Sequence, residues 1–497
     1  MKKSYLRQIL LSTLLALLIF ATCACNKSKQ SDDLEDEPPV EPVGIEGLNY
    51  VLSKDESFYV ITGMGNCTLS ELTFPSEHNG KPVKIIASLT GKYKDVTSVV
   101  IPDSVDTIEE STFSGCNKLT SVTISNSVTT IKDSTFYGCS SLTKIVVPNS
   151  VKAIEAHAFS NCTSLIDIVL PDGITYVASS AFNDTAYIND QNNWYNDAFY
   201  AGTHLLKTNI AEIGGDYKVR EGTTTISSSA FKGCESLTSV EIPNGVVSIG
   251  SEAFYDCKNL YEISIPDTVE YIGYNTLGNT KYFNDRYSEF KNSALYVGKH
   301  LIYVDISSSF TSFRIREGTI CVAEDAFYCS SVTSIYVPAS VKQFYLDNGF
   351  NIHLQTITVD HDNPNYCSVD GVLYNKNMTK LLIVPTKNCN TLVIPDTVVE
   401  IAEAALSWTN IDSVLIPHSV RKIGNDAFSN MKYGKNYDFN DEVLVFYYGT
   451  REDFEKIDQT SNAWTWTNYT YYYYSDTKPE GYEKLWHYVD SKPTIWE

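Results

Sequence analysis

A step of 23 residues recurs along most of this 497-residue chain and limits what it can fold into. Ile101-Pro102, Ile124-Ser125, Val147-Pro148 and Leu170-Pro171 keep that step, as do Val219, Ile242-Pro243 and Ile265-Pro266. The step is 22 from Ile315 to Val337-Pro338 and from Ile394-Pro395 to Ile416-Pro417. From Leu119 the apolar positions are Leu119, Val122, Ile124, Val128, Ile131, Phe136 and Cys139. The next unit repeats them as Leu142, Ile145, Val147, Val151, Ile154, Phe159 and Cys162. Such a unit cannot bury its own apolar line; stacked neighbours must do it, so the chain should grow in one dimension.

Within each unit the V-x-I stretch alternates, so Val122 and Ile124 share one face of a short strand. The proline that follows lacks a ladder donor and ends the strand. V-x-x-I and A-F supply a second inward line, and a segment such as 115–118 turns the chain back. About 13 coils at about 4.8 Å each predict a β-rich repeat solenoid roughly 60 Å along its stack. The SVTTI-x-x-x-x-F-x-GC-x-SLT phrase, over most of residues 70–430, resembles the BspA-like leucine-rich repeat family of bacterial surface proteins. The resemblance implies a right-handed, curved leucine-rich-repeat superhelix. It also implies the roles known for some members, adhesins that bind host matrix proteins.

The repeat accounts for most cysteines. Cys116, Cys139, Cys162, Cys234, Cys257 and Cys329 share one repeat position, where stacked side chains should run parallel, which disfavours bridging. No C-x-x-C spacing suggests zinc. A ladder of buried thiols is the expectation; Cys67, Cys321, Cys367 and Cys389 stay unassigned.

The step breaks at 182–219 and again at 277–315, about 96 residues apart. Each break carries a Thr-x-Tyr, then Ala198 to Leu206 or Ala294 to Ile302, then Arg220-Glu221-Gly222 or Arg316-Glu317-Gly318. A third relative, Gly371 to Asn375 followed by Leu381-Leu382, lies in 360–393. All three read as inserted β-hairpins, with turns at Ala201-Gly202, Val297-Gly298 and 375–377. They are expected to project from one rim, and they either form a binding surface or extend the sheet and set its curvature. Residues 46–90 read as an N-terminal cap with an irregular first coil. Residues 431–497 read as a Tyr/Trp-rich C-terminal cap; Trp464, Trp466 and Tyr471 to Tyr474 could instead stack on sugars.

The first residues are of another kind. Lys2, Lys3 and Arg7 precede an apolar run from Ile9 to Phe20, too short to span a bilayer. Ala21 to Cys25 resembles a bacterial lipobox, with Thr22 in the place where Leu is preferred. Residues 1–24 are thus expected to be a signal peptide and Cys25 the lipidated residue, with Cys23 the weaker candidate. Two or three acyl chains there would give stable anchoring. The acidic, Pro-rich stretch 25–45 reads as a tether.

A net charge of −22 argues against nucleic acid, which is held by clustered Lys and Arg. No H-E-x-x-H, G-x-S-x-G, P-loop or G-x-G-x-x-G stands in a fitting context, and the eight histidines are scattered. His204 and His300 occupy equivalent insert positions, which points to structure. Asp360, Asp362 and Asp370 lack the spacing of a calcium loop and read as a turn. No catalytic residue, metal or cofactor is therefore expected. The outward strand positions form two lines. The first runs Ser98, Ser121, Lys144, Asp167, Ser239, Glu262, Ser334 and Ser413. The second runs Val100, Thr123, Val146, Val169, Glu241, Ser264, Tyr336 and Leu415. A broad, weakly polar strip of this kind suits a macromolecule. The function expected is a non-enzymatic, cell-surface lipoprotein that binds a protein partner; the alternative is a glycan-binding accessory protein.

Overall fold

A computed structural model describes residues 47–496, except 54–55, 88–93, 291–292, 306–310, 329, 345–352, 387–390, 433–441, 460–462, 465–467, 479–483 and 490–491. Signal peptide, lipidation at Cys25 and tether all lie outside the described residues, as do Cys329, Cys389 and Trp466.

Two ladders of short parallel strands carry the fold. The V-x-I triplets make the first: Ser98–Val100 pairs Ser121–Thr123, and Lys144–Val146 pairs Asp167–Val169, each residue opposite its repeat equivalent. The V-x-x-I segments make the second, in which Thr130–Ile131, Ala153–Ile154 and Tyr176–Val177 stack in register. Between the ladders lie the inward residues. Val128, Ile131, Phe136, Cys139 and Leu142 are fully buried, as are Val151, Ile154, Phe159, Cys162 and Leu165. Phe113, Phe136, Phe159 and Phe182 form one stack with ring centroids 5.4–5.5 Å apart and planes within 5–8°. Identical residues at identical heights leave that geometry as the natural one for rings one coil apart.

The corner after the second ladder demands a left-handed residue. Ser111, Ser134, His157, Ser229 and Glu252 have φ of 54–58°, each two positions before the buried Phe. None is β-branched, consistent with the steric cost of that region.

The structure has about 16 turns where about 13 were expected. The difference lies at the ends and inserts. Glu71–Thr73 already belongs to the first ladder, and Glu442–Tyr447 and Asn468–Tyr474 continue it through the C-terminal segment.

The inserts do not project from a rim. His204–Thr208 pairs antiparallel with Ala198–Ala201 on one side and parallel with Thr225–Ile226 on the other, so it takes a coil's place in the second ladder. His300–Val304 and Lys380–Ile383 do the same before Cys321–Val322 and Glu400–Ile401. The reason is in their sequence: AFYA and HLL are apolar on both alternating lines, so neither face tolerates water. Ala198, Tyr200 and Leu205 face one core segment, and Phe199, Ala201 and Leu206 face the one before it. In the third insert Leu373 and Ile383 face the middle core, Tyr374 and Leu381 the last. The first and third inserts are thus septa between core segments. The first ladder is interrupted at all three inserts.

The first two inserts are seated by chemistry repeated in the duplicated unit. The Arg220 guanidinium lies over the Tyr200 ring at 3.9 Å, and Arg316 lies over Tyr296 at 4.1 Å. Both arginines also donate their backbone N–H to the same tyrosine's hydroxyl, at 3.3 and 3.2 Å. The Thr-x-Tyr signal opens a helical segment: Thr185 Oγ1 accepts from the Ile188 N–H, and Thr280 Oγ1 from the Phe283 N–H. The hairpin turns fall one residue later than expected, at Gly202-Thr203 and Gly298-Lys299.

Candidate recognition surface

The outward face of the first ladder is not uniform, and its three stretches follow from what each coil places there. In the N-terminal stretch the second line reads Thr73, Val100, Thr123, Val146, Val169. The three valines are 39%, 51% and 44% exposed. Their neighbours on the first line are Ser98, Ser121 and the paired Lys144 and Asp167, 2.7 Å apart. The face is therefore β-branched and close to neutral.

In the middle stretch charge takes over. Lys218 pairs with Glu241 at 2.9 Å across neighbouring coils. The Arg314 guanidinium lies 3.6 Å over the Tyr336 ring, whose hydroxyl donates to Asp360. That hydrogen bond holds the Asp360 carboxyl below the usual carboxylate range.

At the C-terminal end the same lines are covered. Ser413 and Leu415, expected on the exposed strip, are 6% and 3% exposed. Over Leu415 the cover is the hairpin of Leu485–Val489 and Lys492–Ile495. Its Trp486 is fully buried against Phe446 and Leu415 and donates its indole N–H to the Tyr447 carbonyl at 3.0 Å. The cover stops short of Val393, which is 57% exposed. On the inner side Trp464 stacks on Phe428, centroids 4.0 Å apart and planes 3° apart, closing the last coil.

The other sequence candidates settle as follows. Cys116, Cys139, Cys162, Cys234 and Cys257 are buried free thiols. Cys139, Cys162 and Cys257 donate to the Phe113, Phe136 and Phe231 carbonyls at 3.3, 3.1 and 3.0 Å. Burial pushes the Cys116 and Cys257 thiols up to about 12, so they are unreactive at neutral pH. Cys321, unassigned from sequence, is buried in the second ladder beside the second insert. His204 and His300 are fully buried at the insert edges. His204 Nδ1 shares a hydrogen bond with Thr225 Oγ1 at 2.9 Å, and His300 Nε2 with the Pro266 carbonyl at 3.1 Å. Burial lowers both, His204 to about 4, so both are neutral spacers at physiological pH. Asp360, His361 and Asp362 bring ligand atoms within 4.8 Å of one another. Asp362 donates its N–H to Asp360 Oδ1 at 2.9 Å, the bond of an Asx turn.

The architecture has known counterparts. A family profile described as the BspA type leucine rich repeat region matches six copies, at residues 84–205, 224–368 and 384–476, more than half of the chain. The chain belongs to the BspA-type leucine-rich-repeat family. Among solved structures it resembles a leucine-rich repeat protein from Bacteroides ovatus at 18% identity, covering 87% of this chain and all of that one, TM-score 0.27. A leucine rich cell surface protein from Faecalibacterium prausnitzii is similar at 20% identity over 86% and 99% of the two chains, TM-score 0.24. The leucine-rich repeat protein TpLRR of T. pallidum is similar at 20% identity over 59% and 89%, TM-score 0.27. No curated protein matches significantly. Among the described residues, no helix is long and apolar enough to cross a membrane.

Proposed function

We propose that this BspA-type chain is a non-enzymatic scaffold displayed at the cell surface, and that it docks a protein partner on the N-terminal stretch of its first ladder. The observation that carries the reading is the run Val100, Val146, Val169. These residues are exposed on a regular β face, whereas the same line at the far end is buried under the chain's own hairpin. Exposed apolar surface on a β face of this sort marks interaction sites. A rigid ladder also presents it with little ordering cost on binding. Export by residues 1–24, lipidation of Cys25 and a tether through residue 45 would hold the face clear of a membrane. The other reading, a glycan platform on the C-terminal tryptophans, loses support: Trp464 and Trp486 turn their rings inward.

The test is a binding screen of the chain against immobilised matrix proteins, repeated with Val146→Lys. Saturable binding that the lysine weakens by about tenfold or more supports the proposal. Equal binding by both proteins moves the site off this face.

A further inference from the structure

In the second ladder the position before each inward Ile, Val or Phe is held mostly by small or polar residues: Thr107, Thr130, Ala153, Thr225, Ser248, Cys321, Gln343. Tyrosine stands there twice, at Tyr176 and Tyr271, in the coils that immediately precede the first and second inserts. Tyr271 reaches over its insert to the next coil. The Tyr271 hydroxyl donates to the Glu324 carboxylate at 3.0 Å, which fixes that ring at its tip.

Between the two tyrosines lies a groove of about 410 Å³ that Thr175, Tyr176, Ser248, Glu270, Tyr271 and Gln343 line. The volume falls in the range of small-ligand sites. Glu270, its one charged lining group, is paired with Lys342 at 3.0 Å, so the site is close to neutral.

We propose that this groove binds a neutral carbohydrate. A sugar ring offers an apolar C–H face and an edge of hydroxyls. The tyrosine rings match the first, and the Ser248 and Thr175 hydroxyls, the Gln343 amide and the Glu270 carboxylate match the second. An anionic glycan is disfavoured by the chain's net charge of −22. An extended peptide is disfavoured as well. Thr225–Ile226, Ser248–Ile249 and Tyr271–Ile272 lie in one continuous sheet, so Ser248–Ile249 at its centre has no open edge for strand addition. This face is distinct from the valine face, so each proposal fails or stands separately.

The experiment is to probe the full chain with an array of neutral oligosaccharides and titrate the best binder. The titration is repeated with Tyr176→Ala, Gln343→Ala and, as a control, Val146→Lys. Retention of a neutral sugar, weakened about tenfold or more by Tyr176→Ala or Gln343→Ala and unchanged by Val146→Lys, supports the site. Gln343 is half-exposed, so its variant carries the test if Tyr176→Ala does not fold. Failure to retain any neutral sugar overturns the proposal. So does a sugar bound equally by both groove variants, or competition by peptides alone.

Discussion

The two ends of the first ladder are made of the same strands and differ in what lies over them. Near the N-terminus, Val100, Val146 and Val169 face solvent. Near the C-terminus, Leu415 and Phe446 occupy the corresponding line and lie under Trp486. Strand residues are the same kind of surface in both places. At the C-terminal end the aliphatic and aromatic bulk is larger, and the chain folds back to remove it from water. At the N-terminal end the residues stay small and β-branched, a surface a monomer can leave wet. Among the described residues, the protein covers this face at Leu415 and Phe446 and leaves it exposed at Val100, Val146 and Val169.

The largest test of that contrast is to remove the cover's anchor. Trp486→Ala uncovers Phe446 and Leu415 and leaves the Tyr447 carbonyl without its indole donor. Unfolding in denaturant should show a loss of about 3–5 kcal/mol, the range for deleting a large buried aromatic ring. The loss should fall on the C-terminal core segment first, since the septum at Val372–Asn375 separates it from the middle one. A hydrophobic dye should gain a binding site at that end. A loss below about 1 kcal/mol would mean that the hairpin only rests on the face.

A smaller effect comes from the septum that joins the N-terminal segment to the middle one. Burial lowers His204 from 6.5 to about 4, with Asp172 opposing the shift. The unfolded chain therefore binds more protons than the folded chain between those values, and stability rises with pH there. The contribution is complete above pH 6.5 and is lost as the pH falls to about 4; it amounts to at most about 3 kcal/mol. His204→Gln should flatten the stability profile across that window in urea melts at stepped pH. A profile unchanged by the substitution would place the acid sensitivity elsewhere.

How much of this was legible in the sequence varies with the range of the interaction. The coil was legible residue by residue, since Val128, Ile131, Phe136 and Cys139 each read as inward and each is buried. Its signal is local and repeated. The septa were half legible: AFYA and HLL read as strands, and the absence of a polar line in them, which marks burial on both faces, was available but not decisive against a projecting hairpin. The left-handed corner was hidden because Ser134, His157 and Glu252 share no residue type, only the lack of a branched Cβ. Nothing near Trp486 indicates that it meets Leu415, some seventy residues earlier, and only the closing turns of the solenoid bring them together. The groove at Tyr176 and Tyr271 was likewise invisible, since its walls belong to coils far apart in the sequence.

The smallest expected effect bears most directly on function. Val146 is half exposed, and Val146→Lys places a flexible cation beside Lys144, whose charge Asp167 already balances at 2.7 Å. No inward residue is touched, because Val146 points away from Ile145 and the core. Thermal unfolding should therefore shift by no more than about 0.5 kcal/mol, the usual span for surface changes. The contrast with Trp486→Ala is then several-fold in stability, on one ladder face. If Val146→Lys instead destabilised as strongly, the valine line would be supporting the fold in the free protein. A face left uncovered for a partner should cost the free chain little when it is altered, and that is the property that separates it from the covered end.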